Sequence, residues 1–255
     1  MNHKSLFFLF ILFSECRLSE DSPVHSKTIL VTIQILNTSG DIPVPGGFER
    51  VSAQPGSFAA WLRTIKLKKD NHVYLYNGLL KRNQDAQFAV MDITVGKKDL
   101  QQCADAVMRL KAEYLFAAKK FSEIRFTDNA GKEHKWEGKN NRKDFDSYLE
   151  NVFGWCGSAS LEKQLFPVSN LNEIKPGDVF IRGGFPGHAM IVTDVAVNAE
   201  GKKIFMLAQS YMPAQDIHIV KNPVDEKLSP WYEVSDADII ITPEWKFYRN
   251  QLRQW

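Results

Sequence analysis

The chain predicts an α+β fold, and its sequence carries that prediction in two places. Asp99–Lys120 sets Leu100, Cys103, Ala104, Val107, Tyr114, Leu115 and Ala118 at helical spacing. From Asp178 onward β-branched and apolar runs dominate: Val179–Ile181, Ala189–Val197, Ile204–Ala208, Ile217–Val220 and Ile239–Ile241. Helical patterns precede the strands instead of alternating with them. That order points to helices packed on an antiparallel sheet, behind an N-terminal α/β extension.

At the N-terminus, His3 and Lys4 precede an apolar run, Leu6–Phe13. The run is too short to span a bilayer and suits an export signal over residues 1–16. Cys16 just after it resembles a bacterial lipoprotein acylation site, although Glu15 stands where a small residue is usual. An ordinary signal peptide cut nearby is the alternative. Either way the protein is expected to be exported, to the periplasm or onto the cell envelope through a lipid on Cys16. Residues 17–27 read as a polar tether and 28–255 as one α+β domain.

Within that domain Thr28–Leu36 reads as a strand, followed by a loop through Pro43, Pro45, Gly46 and Gly47. Ser57 can cap a short helix, Phe58–Leu67. Val73–Tyr76 and Gln87–Val95 read as strands around the turn Asn77-Gly78. Glu123 to Trp136 reads as a hairpin turning at Asn129–Lys132. Asp144–Phe153 and Ser158–Leu165 read as helices, stopped by Gly154 and Pro167.

Composition narrows the function. Hydrophobic residues at 44% and charged residues at 24% suit a globular protein. Thirty-two Lys+Arg against 30 Asp+Glu give +2, so no basic surface points to nucleic acid. No later apolar stretch approaches ~18 residues, the length a spanning helix needs. Asp216 and His218 share a strand face and could in principle join His188 and Asp194 around a metal. Without a Cys-x-x-Cys or His-x-His signature, no metal or other cofactor is expected.

The chemistry-bearing residues are few. Cys156 lies in Trp155-Cys156-Gly157-Ser158, before a predicted helix whose dipole would stabilise a thiolate. Gly157 would let a substrate carbonyl approach the amides there, and Ser158 is either a cap or a binding hydroxyl. The structural alternative for Cys156 is a small residue buried under Trp155. His188 follows the loop Gly183–Gly187 at the mouth of an apolar strand. Gln209 ends the next strand, and a turn at Asn198–Lys202 would bring its carbonyl beside His188 to fix the imidazole tautomer.

Cys103 reads as a small hydrophobe inside its helix, and no spacing indicates a bridge to Cys156. Asp105, Arg109 and Glu113 form an i, i+4, i+8 ladder, usual for a solvated face. If that helix lies behind the groove, Arg109 could hold a substrate carboxylate. Trp155, Phe185, Tyr211, Trp231 and Tyr232 either line a groove for sugar or peptide or fill the core.

Two resemblances follow. Leu100–Leu110, Gly183–Val192, Leu207–His218 and Ser229–Tyr232 look like the bacterial "domain of unknown function 4846" family, which names relatives without a reaction. Gly154–Gln209 is similar to papain-like cell-wall hydrolases of the NlpC and CHAP types. Those place a cysteine at a helix start, a Pro-Gly-Asp strand entry, a Gly-His strand and a third polar residue on the next strand. Cys156, Pro176-Gly177-Asp178, Gly187-His188 and Gln209 fall in that order, within a catalytic-like core of about 142–242. Trp155-Cys156-Gly157-Ser158 departs from the usual Asp-Cys-Ser-Gly context, and Gln209 stands where His, Asn or Glu is usual. The resemblance implies a thiol hydrolase of papain-like fold acting on amide bonds in peptidoglycan or a related peptide. The alternative is a non-catalytic envelope lipoprotein that binds glycan or peptide.

Overall fold

A computed structural model describes residues 36–138 and 140–255. The expected signal peptide, Cys16, the tether and all but the last residue of the Thr28–Leu36 strand lie outside them. The described elements are β1 (Phe48–Arg50), α1 (Phe58–Leu62), β2 (Gln87–Val90), α2 (Cys103–Ala117), β3 (Arg125–Thr127), β4 (Glu133–Lys135), α3 (Arg142–Trp155) and α4 (Ser158–Gln164). Then follow β5 (Phe166–Pro167), β6 (Val179–Arg182), β7 (His188–Asn198), β8 (Lys203–Gln209), β9 (His218–Val220), β10 (Trp231–Glu233), β11 (Ile239–Ile241), β12 (Lys246–Tyr248) and β13 (Leu252–Gln254).

The protein is α+β. Nine of these strands form one antiparallel sheet in the order β2-β9-β8-β7-β6-β13-β5, with β1 added to β7 and β10 to β8. The hairpins β3–β4 and β11–β12 stand apart from it. The long runs of the sequence become β7 and β8, paired through the Asn198–Lys202 turn. Alternation sends Ile204, Met206 and Ala208 to the helices, and Phe205 and Leu207 to a second core with Phe180, Met190, Val192 and Phe247. Both faces are buried, which is why these strands read as unbroken apolar runs.

Helix α2 is shorter than the predicted Asp99–Lys120 at both ends. Its start is set where the Asp105 carboxylate accepts the Gln102 amide at 3.0 Å. At its end Lys119 turns left-handed (φ 58°), while Lys119 and Lys120 donate to the carbonyls of Phe116 and Leu115. Cys103 thereby moves from a helix interior to the first helical residue. The helix is buried nearly all round, as expected of one enclosed by a sheet on one side and helices on the other. Of the predicted strand Val73–Tyr76 only isolated bridges form, Tyr74 with Leu80 and Leu75 with Gln215.

A buried ion cluster ties the N-terminal part to the sheet. Between Val192 and Asp194 β7 carries a register shift, and the Asp194 side chain is 1% exposed. Arg50 Nε donates to Asp194 Oδ2 at 2.6 Å; Arg63 donates through Nη2 and Nε to Oδ1 at 2.6 and 2.9 Å. Each guanidinium also reaches a backbone carbonyl, Ile42 O or Val51 O. Asp194, a metal-ligand candidate in the sequence, is thus committed to two arginines.

Asp194→Ala leaves two partly buried guanidinium groups without their acceptor, a change that typically costs about 3–5 kcal/mol. The expected outcome is an unfolding free energy lowered by that amount, read as a lower urea midpoint at unchanged m-value. A loss under about 1 kcal/mol would show that the cluster does not anchor β1 and α1 to β7.

Candidate functional site

His188 is the first residue of β7 and is fully buried. Gly187 precedes it because nothing larger fits: a Cβ there would stand 2.6 Å from Gly184 O and 2.8 Å from Arg182 O. Nε2 of His188 lies 2.9 Å from Gln209 Oε1, at the end of β8. The imidazole packs among Tyr211, Trp245 and Phe247, with ring centroids at 4.9, 5.2 and 5.8 Å. Trp245 and Phe247 come from the β11–β12 hairpin, folded across this end of the sheet. Burial depresses the His188 pKa to about 4; the Gln209 hydrogen bond opposes it and the charge of Lys81 adds to it.

The amide of Gln209 is held from behind. Its Nε2 donates to Glu244 Oε2 at 2.8 Å and lies 3.3 Å from His218 Nε2. Lys81, itself buried, reaches Glu244 Oε2 at 2.5 Å. His218 stands opposite Gln209 in the β8–β9 register, and its Nδ1 lies 2.9 Å from Asp216 O. The Asp216 carboxylate is paired with Lys68 at 2.8 Å. Burial takes the His218 pKa down to about 3.

Beside this cluster opens a cleft of about 470 Å³. Cys103, Asp105, Trp155, Cys156, Gly157 and Ser158 line one part of it, and Gly184–Gly187 with Met212 the other. Exposed Trp155 and Phe185 flank it. Trp231 and Tyr232 belong instead to the core.

Cys156 stands between two helices, just before the start of α4 as expected. It caps the end of α3, its amide bonded to Val152 O at 2.8 Å, and Gly157 is the N-cap of α4. Its thiol is not lowered as expected: burial, with Asp128 and Asp105 adding and a Ser160 hydrogen bond opposing, pushes it up to about 11. His134 lies on the neighbouring hairpin with both ring nitrogens engaged, Nε2 by Asp128 at 3.0 Å and Nδ1 by Asn151 at 3.2 Å. The ring and hydrogen-bond partners of His188 do not include Cys156.

The thiol influenced by the backbone next to His188 is Cys103: the amides of Ala189, the residue after His188, and of the first turn of α2 act to lower its pKa. Burial and Asp105 push this thiol, too, up to about 11. Both cysteines are free. Nδ1 of His188 is buried and bonds to no protein group, so no hydrogen bond yet joins it to either sulfur. Ala189 faces the helices, while the His188 ring packs with Phe247 of the second core. Thiol and imidazole therefore stand off opposite faces of β7, and no hydrogen bond joins them.

Arg109 is neither solvated nor free. It is buried and engaged by Glu113 at 2.7 Å and by Gln101 and Asp146 at 3.4 Å, away from the cleft. Asp105, at the other end of the supposed ladder, is buried in the cap of α2. Sequence reasoning missed Cys103 at a helix start, and Lys81, Glu244 and Trp245 altogether. For Cys103 a signal existed: an aspartate three residues beyond Gln102, the acidic first turn of a helix. Lys81 and Glu244 carried none, since their pairing spans most of the chain.

Among the described residues no helix is long and apolar enough to cross a membrane. The family described as domain of unknown function (4846) matches this chain over residues 39–141 and 132–254. No curated protein and no solved structure matches it.

Because only the thiolate reacts, two thiols raised to about 11 should alkylate slowly at neutral pH. Iodoacetamide labelling of the folded protein, mapped by peptide, is expected to accelerate about tenfold per pH unit between about 7 and 10 at both cysteines. A plateau below pH 8 at either would contradict the assigned burial.

Proposed function

The chain belongs to that family, whose description names no reaction, and we propose that it is an exported thiol hydrolase of papain-like architecture. Its substrate class is the amide bonds of peptidoglycan or a related peptide. The observation that carries this reading is the placement of Cys103. A thiol opens the long, buried α2 and is influenced by the Ala189 amide, next in the chain to an imidazole oriented by Gln209. The order of helix-start cysteine, strand-start histidine and polar residue on the next strand is kept, with Cys103 in place of Cys156.

At rest the pair is neutral thiol and neutral imidazole. Cys103 Sγ attacks the scissile carbonyl as His188 Nδ1 takes the thiol proton, and the imidazolium then protonates the departing amine. A thioester joins Cys103 to the acyl part until water, deprotonated by the same nitrogen, releases the acid and restores the thiol. The amides of Cys103 and Ala104 favour negative charge on the sulfur as its proton leaves. Trp155, Gly157, Ser158 and Phe185 form walls that suit a sugar ring or an extended peptide. Export, and anchorage through Cys16, complete the reading.

One observation favours the second reading, a non-catalytic envelope lipoprotein whose cleft binds glycan or peptide. Both thiols are raised, and neither is bonded to His188. Release of fragments from purified sacculi separates the two readings. Activity is expected from the mature protein, silence from Cys103→Ala, near-normal release from Cys156→Ala, and a loss of at least about a hundredfold from His188→Ala. The reverse order of the two cysteine variants would move the nucleophile to Cys156. Binding to sacculi with no release would leave the binding module.

The pH dependence follows from the same groups. Nδ1 must be unprotonated, so kcat/KM is expected to hold level from about pH 5 to 9 and to fall as pH drops through about 4. A fall centred near 6.5 would mean that His188 titrates as a solvated imidazole.

A further inference from the structure

The side-chain amide of Gln209 has two N–H hydrogens and one carbonyl oxygen, and each faces a group of fixed character. Glu244 Oε2, 2.8 Å from Nε2, belongs to a carboxylate paired with Lys81 at 2.5 Å and can only accept. His218 Nε2, 3.3 Å away, is an acceptor because Nδ1 of the same ring faces the carbonyl of Asp216 at 2.9 Å and must carry the proton. Two acceptors therefore claim the amide nitrogen, and Gln209 Oε1 is left for His188 Nε2 at 2.9 Å. An oxygen there requires His188 to be protonated at Nε2. Nδ1, buried and unpartnered, then holds the lone pair.

We propose that Glu244 and His218 are positioning residues which, by holding both N–H hydrogens of Gln209, lock His188 in its Nε2–H tautomer and keep Nδ1 a proton acceptor. The consequence for catalysis rests on the thiol-hydrolase reading; the tautomer itself does not. Released from Glu244, Gln209 can flip and present N–H to His188 Nε2. The imidazole proton then moves to Nδ1, and the nitrogen that would receive a thiol proton becomes a donor. Lys81 belongs to the same device because its ammonium holds the Glu244 carboxylate at 2.5 Å.

The test is the nitrogen spectrum of the His188 ring in uniformly 15N-labelled protein near pH 7, assigned by the signal lost in His188→Gln. The unaltered protein is expected to show an unprotonated Nδ1 and a protonated Nε2. Glu244→Gln is expected to populate Nδ1–H substantially, His218→Phe to do so more weakly, and Glu244→Asp to restore most of the original pattern. A protonated Nδ1 in the unaltered protein overturns the proposal, as does a Glu244→Gln spectrum identical to it. Should Glu244→Gln fail to fold because Lys81 is stranded, the double variant Lys81→Met/Glu244→Gln removes that charge and is held to the same outcome.

Catalysis is a separate arm. If the thiol reading stands, Glu244→Gln should lower kcat about tenfold with KM little changed. If Cys103→Ala releases fragments from sacculi as the unaltered protein does, the thiol reading fails while the tautomer result is judged by its own spectrum.

Discussion

A sheet buried on both faces has no water to offer polar side chains at its strand ends, and this constraint organises the rest of the structure. His188, Gln209 and His218 end or begin adjacent strands and are all fully or nearly fully buried. An unpaired buried polar group costs about 1–3 kcal/mol, so they bond to one another. The remaining amide hydrogens of Gln209 then need an acceptor. Glu244 supplies it only if the β11–β12 hairpin folds across this end of the sheet, bringing Trp245 and Phe247 onto the imidazole. A carboxylate drawn inward needs its own counterion, which Lys81 provides from the N-terminal half. One polar strand end thereby fixes the position of two distant segments.

The same constraint sets the charge state of the site. Burial, with the charge of Lys81 adding to it, keeps the imidazoles neutral, with pKa values near 4 and 3. Burial moves the thiols the opposite way, to about 11. An acid and a base so far apart do not form a standing thiolate–imidazolium pair. Under the hydrolase reading the proton moves only as charge develops on a bound carbonyl, and Nδ1 must already be free to accept it. Hence the tautomer, a property of the groups behind Gln209, matters more here than the acidity of the sulfur.

What the sequence made legible follows from the range of the interactions. Residues repeating at short period gave α2, α3, α4 and the β7–β8 hairpin, and the hairpin placed Gln209 at His188. Strands of two or three residues, such as β1, β5, β10, β12 and β13, hold no period to detect. Val73–Tyr76 looked like a strand by composition, yet it makes only single bridges because its neighbours are loops. The helix ends of α2 depend on one carboxylate and one left-handed residue, and a periodicity argument cannot see either. That small displacement of a boundary decides whether Cys103 reads as core filling or as chemistry.

The two cysteines show why the boundary matters. Both line one cleft, both are nearly buried, and both thiols are raised to about 11, so neither exposure nor acidity separates them. Geometry does. Cys156 closes α3, where the carbonyl end of the dipole opposes a negative sulfur, and the following α4 has only seven residues. Cys103 opens a helix of fifteen residues, and the amides of its first turn and of Ala189 act to lower its pKa. Negative charge on Cys103 would meet backbone amides as well as Asp105; on Cys156 it would meet Asp128, Asp105 and a helix C-terminus, with the Ser160 hydroxyl opposing them. Where a sulfur must carry charge in passing, the surroundings that tolerate that charge identify it better than its resting pKa.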